Sequence, residues 1–316
     1  MTYVQYLNKI IREKIATTSP LIVFGQNISA GSCLSGLSKG LESGPARLII
    51  NTPNCENSLV GIGFGSMMNG VSSIYLMKQL DFLLLGVDQI VNTYNIARVR
   101  NLTASFTIVC IIVDSGYEGP QATLNNLSDF CSFSHIDGYT ITNQQDADII
   151  LERHLVAPGF RIIGVSQRLF KNEVLRPQKL ETVYASGKIV QYSKGKDVVV
   201  VNFNFAYPQG KGICEEFENN GFSASHYAIN SAMITDWRPI LTEVKKIGKV
   251  VVLDDSKSAN RPSQNLLMNI YRDVPGSQVV YRGRQFSKKW LAPNPDQFEF
   301  DPIEILCELN LLPEIV

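Results

Sequence analysis

FTIVCIIV, residues 106–113, is apolar and β-branched almost throughout and shows no polar alternation. A strand with one wet face alternates apolar with polar residues. A strand covered on both faces does not, and helices cover both faces of a parallel sheet. The run therefore reads as an interior strand of a parallel α/β sheet. Working outward, short runs of the same kind recur at 21–25 (LIVFG), 47–51 (RLIIN), 72–77 (SSIYLM), 138–142 (GYTIT) and 160–165 (FRIIGV), with helix-like segments between them. Residues 171–195 are richer in charge and read as a connector leading into a small strand pair. A second series then places strands at 197–204, 223–229, 249–254 and 277–282, alternating with helices near 210–220, 236–247 and 260–271. The expected fold class is α/β, with two doubly wound domains at 1–185 and, smaller, at 186–316.

The bulk properties fit that plan. Of 316 residues, 45% are hydrophobic and 18% charged, which excludes a disordered chain. Twenty-nine basic residues balance twenty-nine acidic ones, so no long-range field gathers nucleic acid or an anionic membrane. The first residues carry Lys9, Arg12, Glu13 and Lys14 without an uninterrupted apolar run, so neither a signal peptide nor a membrane anchor is read there, and a cytoplasmic address is expected. The six cysteines form no CxxC pair, and the three histidines do not sit near them at zinc-ligand spacing. Neither GxGxxG after a strand nor GxxxxGK[ST] occurs.

The stretch that carries chemistry is TPNCENSLVGIGFGSMMNG, 52–70, which opens a helix after Pro53 and sets Gly61, Gly63, Gly65 and Gly70 among apolar residues. Each helical glycine costs on the order of 1 kcal/mol relative to alanine, so a close approach by another helix, a backbone or a ligand is implied. Tight packing explains the glycines as well as a ligand does. Glu56, in the helix's first turn, has no basic neighbour in sequence. Spacing alone leaves it open between a catalytic carboxyl and an ordinary first-turn glutamate favoured by the helix dipole.

Thr52-Pro53, Glu56 and Gly61-Ile62-Gly63-Phe64-Gly65 resemble the TPxxE run of the pyrimidine-binding domain of thiamine-diphosphate enzymes. Within that group the resemblance is specifically to the β subunit of the first component of 2-oxo-acid (pyruvate) dehydrogenase complexes and to the matching part of transketolases. Phe82, in DFLLLGVDQIVN (81–92), falls where that family has an aromatic residue ahead of its own DQIVN-like helix. FGQN (24–27) is similar to a first-strand LGED-like motif, EGPQA (118–122) to a glycine-rich loop, and WRPILTEVKKIGKVVVLDD (237–255) to the transketolase C-terminal domain.

The resemblance implies that Glu56 hydrogen-bonds the aminopyrimidine of thiamine diphosphate and activates it. It also implies that Phe82 stacks on that ring, with core packing as the plain alternative, and that Gly61 and Gln26 lie at the cofactor. The activated cofactor would decarboxylate a 2-oxo acid and transfer the acyl carbanion to an acceptor. No GDG motif for Mg2+ occurs, so the diphosphate and Mg2+ are expected to be held mainly by an α-like partner subunit, in an α2β2 heterotetramer, with no metal ligand from this chain. Two departures stand out. QATLNN (121–126) lacks the family's loop histidine, His135 being expected in a structural role, and Gln26-Asn27 replace two acids. They favour an acyloin-forming carboligase over a housekeeping dehydrogenase. A non-catalytic scaffold that kept the fold, or a self-sufficient binder using one α/β domain, are the alternatives. Asp254, Asp255, Lys257 and Arg261 read as solvated charges.

Overall fold

The computed structural model describes residues 1–114, 119, 126–177, 180–234, 236–284 and 298–313. EGPQA and QATLNN lie, but for Gly119 and Asn126, outside the described residues. The chain opens on helix α1 (Tyr3–Thr17). Thr2 and Gln5 close its N-terminus reciprocally, each side chain meeting the other's backbone N–H. Tyr3, Leu7, Ile11 and Ile15, four apart, form its buried stripe.

Six strands follow: β1 (Leu21–Gly25), β2 (Arg47–Asn51), β3 (Ser72–Met77), β4 (Ser105–Ile112), β5 (Asp137–Ile141) and β6 (Gly159–Ser166). They form one sheet in the order β2-β1-β3-β4-β6-β5, every pairing parallel. Helix α2 (Glu56–Met68) follows β2. A 3-10 segment (Leu80–Gly86) and a π-helical turn (Gln89–Thr93) lead from β3 into α3 (Tyr94–Ala97), and α4 (Leu127–Ser132) and α5 (Gln144–His154) flank β5. β4 is buried over all eight residues, as its unbroken apolar run requires.

The second sheet holds β7 (Thr182–Tyr184), β8 (Ile189–Ser193), β9 (Val198–Phe203), β10 (Ala224–Ile229), β11 (Lys249–Asp254) and β12 (Gln278–Gly283), in the order β12-β11-β9-β10-β8-β7. Its β12-β11-β9-β10 part is parallel, while β8 and β7 join antiparallel. β7 and β8 are the strand pair expected after the connector, and β7 already belongs to the second sheet. Helices α6 (Tyr207–Asn219), α7 (Arg238–Ile247) and α8 (Pro262–Asp273) cover it, joined by α9 (Pro302–Glu308), which the sequence pattern does not announce.

The two sheets are stitched together. Thr140 N–H donates to the Asn230 carbonyl at 3.0 Å and Ala232 N–H to Gly138 at 3.1 Å, so the segment after β10 runs along β5. Arg168, beyond β6, donates to Asp255 at the end of β11 (2.9 Å), and the Phe205 N–H binds the other Asp255 oxygen at 3.1 Å. The expectation of solvated charges at 254–257 is thereby corrected. Asp254 and Asp255 are 0% exposed and Lys257 7%; Asp254 is covered within its own domain by Asn204 and the Ser256 N–H, and Asp255 by Arg168 of the first domain.

The glycines of α2 differ in their reasons. A Cβ on Gly63 would lie 2.3 Å from the Phe106 ring, whereas at Gly65 it would meet nothing. Phe106 is locked among Phe24, Phe64 and Phe160, with ring centroids 5.0–6.5 Å away, so it has no room to retreat. Gly63→Ala is expected to destabilise the chain by roughly 1–3 kcal/mol through overpacking, read as a lower denaturation midpoint with an unchanged slope. Gly65→Ala should not.

Candidate active site

In the first sheet the chain steps from β1 outward to β2 and then crosses back to β3, so the topological switch point lies between β1 and β3. Ligands of open α/β sheets bind outside the carboxyl ends of the strands at such a point. Gln26 follows β1 there, half-buried. Asn27, next to it, takes the left-handed conformation (φ 56°) and turns the chain so that the Ile28 N–H reaches Asn51 Oδ1, 3.0 Å away at the end of β2. Phe82 lies beyond β3 in the Leu80–Gly86 segment, and Glu56 heads α2 after β2. The topology thus brings Gln26, Glu56 and Phe82, distant in sequence, to one edge of one sheet.

Glu56 is 6% exposed. Cys55, at the helix N-cap, makes no side-chain cap bond, and among the described residues no side chain or backbone group hydrogen-bonds the Glu56 carboxyl. Its charge acts on the Tyr75 phenol on β3, which burial, Glu56 and Cys55 together push well above its ordinary pKa. Tyr75 stacks on Phe24 with centroids 5.2 Å apart, so the floor beside Glu56 is aromatic. An acid at a helix N-terminus is electrostatically favoured, but one that is withdrawn from water normally has partners.

Phe82 is half-buried and its neighbour Asp81 is 1% exposed. Burial pushes the Asp81 carboxyl up to about 7, with its own backbone N–H and the Lys257 charge pulling in the other direction. The sequence singles out Phe82 and passes over Asp81, because nothing in DFLLLG distinguishes a buried acid from a solvated one. Gly61 faces the Gln89 side chain, which a Cβ there would meet at an ordinary 3.5 Å. The site's outer glycine is therefore a point of approach for the π-helical turn, and its place at a cofactor stays an expectation. His135 is exposed in the turn before β5, while His154 and His226 bind Ser186 and Asn202.

Among the described residues no group of three or more His, Cys, Asp and Glu side chains is arranged to hold a metal ion, and no helix is long and apolar enough to cross a membrane.

Known proteins place this architecture. The chain is 24% identical over 274 residues to the 2-oxoisovalerate dehydrogenase subunit beta of Bacillus subtilis (strain 168), a match covering 84% of this chain and 82% of that one. It is 22% identical over 262 residues to the pyruvate dehydrogenase E1 component subunit beta of Rhizobium meliloti (strain 1021), covering 81% of this chain and 56% of that longer protein. Its homologues are E1 β subunits. An E1 β likeness across this much of the chain spans both sheets. It agrees with the solved structure of a split-gene transketolase, an inactive beta4 tetramer, which superimposes with a TM-score of 0.71 at 14% identity and covers 98% of this chain and 97% of that one. No family model matches the chain. The E1 β resemblance read from TPxxE and Phe82 therefore holds at the level of homologues and fold.

Proposed function

We propose that this chain is the β-like subunit of a thiamine-diphosphate enzyme that decarboxylates a 2-oxo acid and passes the acyl group to an acceptor, at a site shared with an α-like subunit. The observation that carries the proposal is Glu56: a carboxyl withdrawn from water, without a protein hydrogen-bond partner among the described residues, at the switch point that also bears Phe82. Such a group fits a ligand that brings its own hydrogen-bonding nitrogen. When bound, thiamine diphosphate supplies the nucleophilic carbon and the electron sink for loss of CO2. Glu56 would hold the proton shared with the aminopyrimidine, in a desolvated setting that strengthens the bond. Phe82 would lie against the face of that ring, an aromatic contact worth about 0.5–1.5 kcal/mol beyond burial. Gln26 would stand at the same edge as a neutral amide, leaving Glu56 as the acid nearest the cofactor in this chain.

The diphosphate and Mg2+ fall to the α-like subunit in an α2β2 assembly, which accounts for the homologues' standing as β subunits. With the histidine missing from QATLNN, the acceptor is an aldehyde or ketone before a lipoyl group. Co-expression with the α-like partner, followed by addition of thiamine diphosphate, Mg2+ and a panel of 2-oxo acids, tests the proposal. CO2 release that requires both subunits is expected. A complex that binds cofactor yet releases no CO2 from any of them would mark the chain as a scaffold.

A further inference from the structure

The second sheet ends at β8 and β7, and a row of polar side chains runs across it there. Thr182 on β7 pairs with Gln191 on β8, and Gln191 pairs with Tyr227 on β10. Directly paired residues of antiparallel strands point to the same face. A bulge interrupts the ladder beside the row: Tyr192, an extra residue on β8, stands between the pairs Tyr227–Gln191 and His226–Ser193, and its hydroxyl goes to Asp146 instead. The row faces α7, whose Ile240 and Val244 pack in the same core as the Tyr227 ring. Gln191 and Tyr227, together with Glu181, Lys194 and Glu243, line a cavity of about 550 Å³.

The polar ends of the row are unused. Tyr227 is 1% exposed and Gln191 4%, yet among the described residues no group accepts from the Tyr227 hydroxyl or from the Gln191 side-chain N–H groups. Only the Gln191 oxygen is engaged, by the Tyr184 hydroxyl at 3.5 Å. Buried tyrosines and glutamines ordinarily find partners, because a donor withdrawn from water and left unpaired is costly. Burial first, then Glu243 and Tyr184, holds the Tyr227 phenol well above its ordinary range, so it remains a protonated donor. Lys194 brings an ammonium group that has no ion pair among the described residues. Glu243 accepts only a long bond from Ser225 Oγ at 3.4 Å, and the Glu181 carboxylate accepts none. The other two charges of the cavity, Asp236 and Arg238, neutralise each other at 2.6 Å.

We propose that this cavity is a binding site for an α-amino acid, whose carboxylate takes the Tyr227 hydroxyl, the Gln191 amide and the Lys194 ammonium, and whose own ammonium group takes Glu243 and Glu181. The fit is one of charge and hydrogen-bonding valence. Unused donors, one of them cationic, suit a group that only accepts, and a carboxylate is such a group. Two unused carboxylates in the same cavity repel a plain anion and call for a cation in the same molecule. The volume falls within the range of about 300–1,000 Å³ found for small-ligand pockets. None of these residues belongs to the edge that carries Gln26, Glu56 and Phe82, so the inference stands apart from the function proposed above.

Calorimetric titration of the full chain tests the site, with L-alanine, L-leucine and L-lysine as probes, and with propionate and ethylamine, which each lack one of the two charged heads of alanine. At least one of the amino acids is expected to bind, and to raise Tm in step with its concentration as a ligand of the folded state does. Propionate and ethylamine should bind at least about tenfold more weakly than that amino acid, the weight of one lost charged contact. Tyr227→Phe should weaken amino-acid binding about tenfold for the same reason. It should leave the Tm of the free chain unchanged or slightly raised, since the hydroxyl it removes has no partner to lose. Lys194→Met, at an exposed position, should weaken binding by a similar factor. Glu243→Gln should weaken the amino acid and strengthen propionate, a reversal that a merely structural role does not produce. No binding by any of the three amino acids overturns the site, as does propionate binding as tightly as the amino acid, or an affinity indifferent to both Tyr227→Phe and Lys194→Met. A clear loss of Tm in free Tyr227→Phe overturns it too, because the hydroxyl would then be engaged within the chain.

Discussion

Glu56→Gln is expected to lower the turnover of the reconstituted enzyme by about 10²–10⁴-fold, the range for loss of a positioned acid–base group, while leaving the chain folded. The amide keeps the shape and the hydrogen-bonding reach of the carboxyl but cannot share a proton with a ring nitrogen. Structural consequences should be small, because no protein hydrogen bond among the described residues ends on Glu56. Losing a first-turn acid costs about 0.3–1 kcal/mol of helix-dipole energy, and removing a carboxylate shielded from water works in the opposite direction. Turnover and Tm measured side by side separate the two roles. Equal turnover in wild type and variant removes Glu56 from the mechanism, and a large drop in Tm would make it a structural residue.

That asymmetry explains what the sequence could convey. The strand positions were legible because interior parallel strands are written as unbroken apolar runs, and β4 is buried throughout. The candidate site could be proposed from TPxxE and the aromatic at 82, which stand after β2 and β3, where strand order brings them to one edge. Strand order itself is set by crossover packing and leaves no local mark. The sequence also could not distinguish the two kinds of charge. Asp254, Asp255 and Lys257 resemble a wet loop, and only tertiary contacts, Asn204 on Asp254 and Arg168 on Asp255 among them, reveal a buried one. Asp81 was hidden for the same reason. The glycines of α2 show a third limit. Gly63 is demanded by the Phe106 ring and Gly65 by nothing, yet one-letter spacing writes them alike.

Asp146→Ala should be among the most damaging single changes in the chain, costing about 3–5 kcal/mol, because it leaves several buried donors without their acceptor at about 1–3 kcal/mol each before any rearrangement. The side chain is fully buried in the first turn of α5 and gathers donors from both domains. Thr142 Oγ1 (2.7 Å) and Asn143 Nδ2 (2.8 Å) come from the first, and Asn230 Nδ2 (2.6 Å) and the Tyr192 hydroxyl from the second. Burial raises the carboxyl's pKa and these donors oppose the rise, so the cluster stands or falls on its own satisfaction. Alanine leaves the donors dry and unpaired, each at about 1–3 kcal/mol if nothing rearranges. At about 2–4 °C per kcal/mol for domains of this size, Tm should fall by roughly 10 °C. Tyr192→Phe removes one donor and leaves the acceptor with others, so about 1 kcal/mol is expected. If the network is one unit, the double variant loses little more than Asp146→Ala alone. Strict additivity would mean that the Tyr192 hydroxyl stabilises the chain independently of Asp146, through its bond to Asn143 Oδ1 at 3.2 Å.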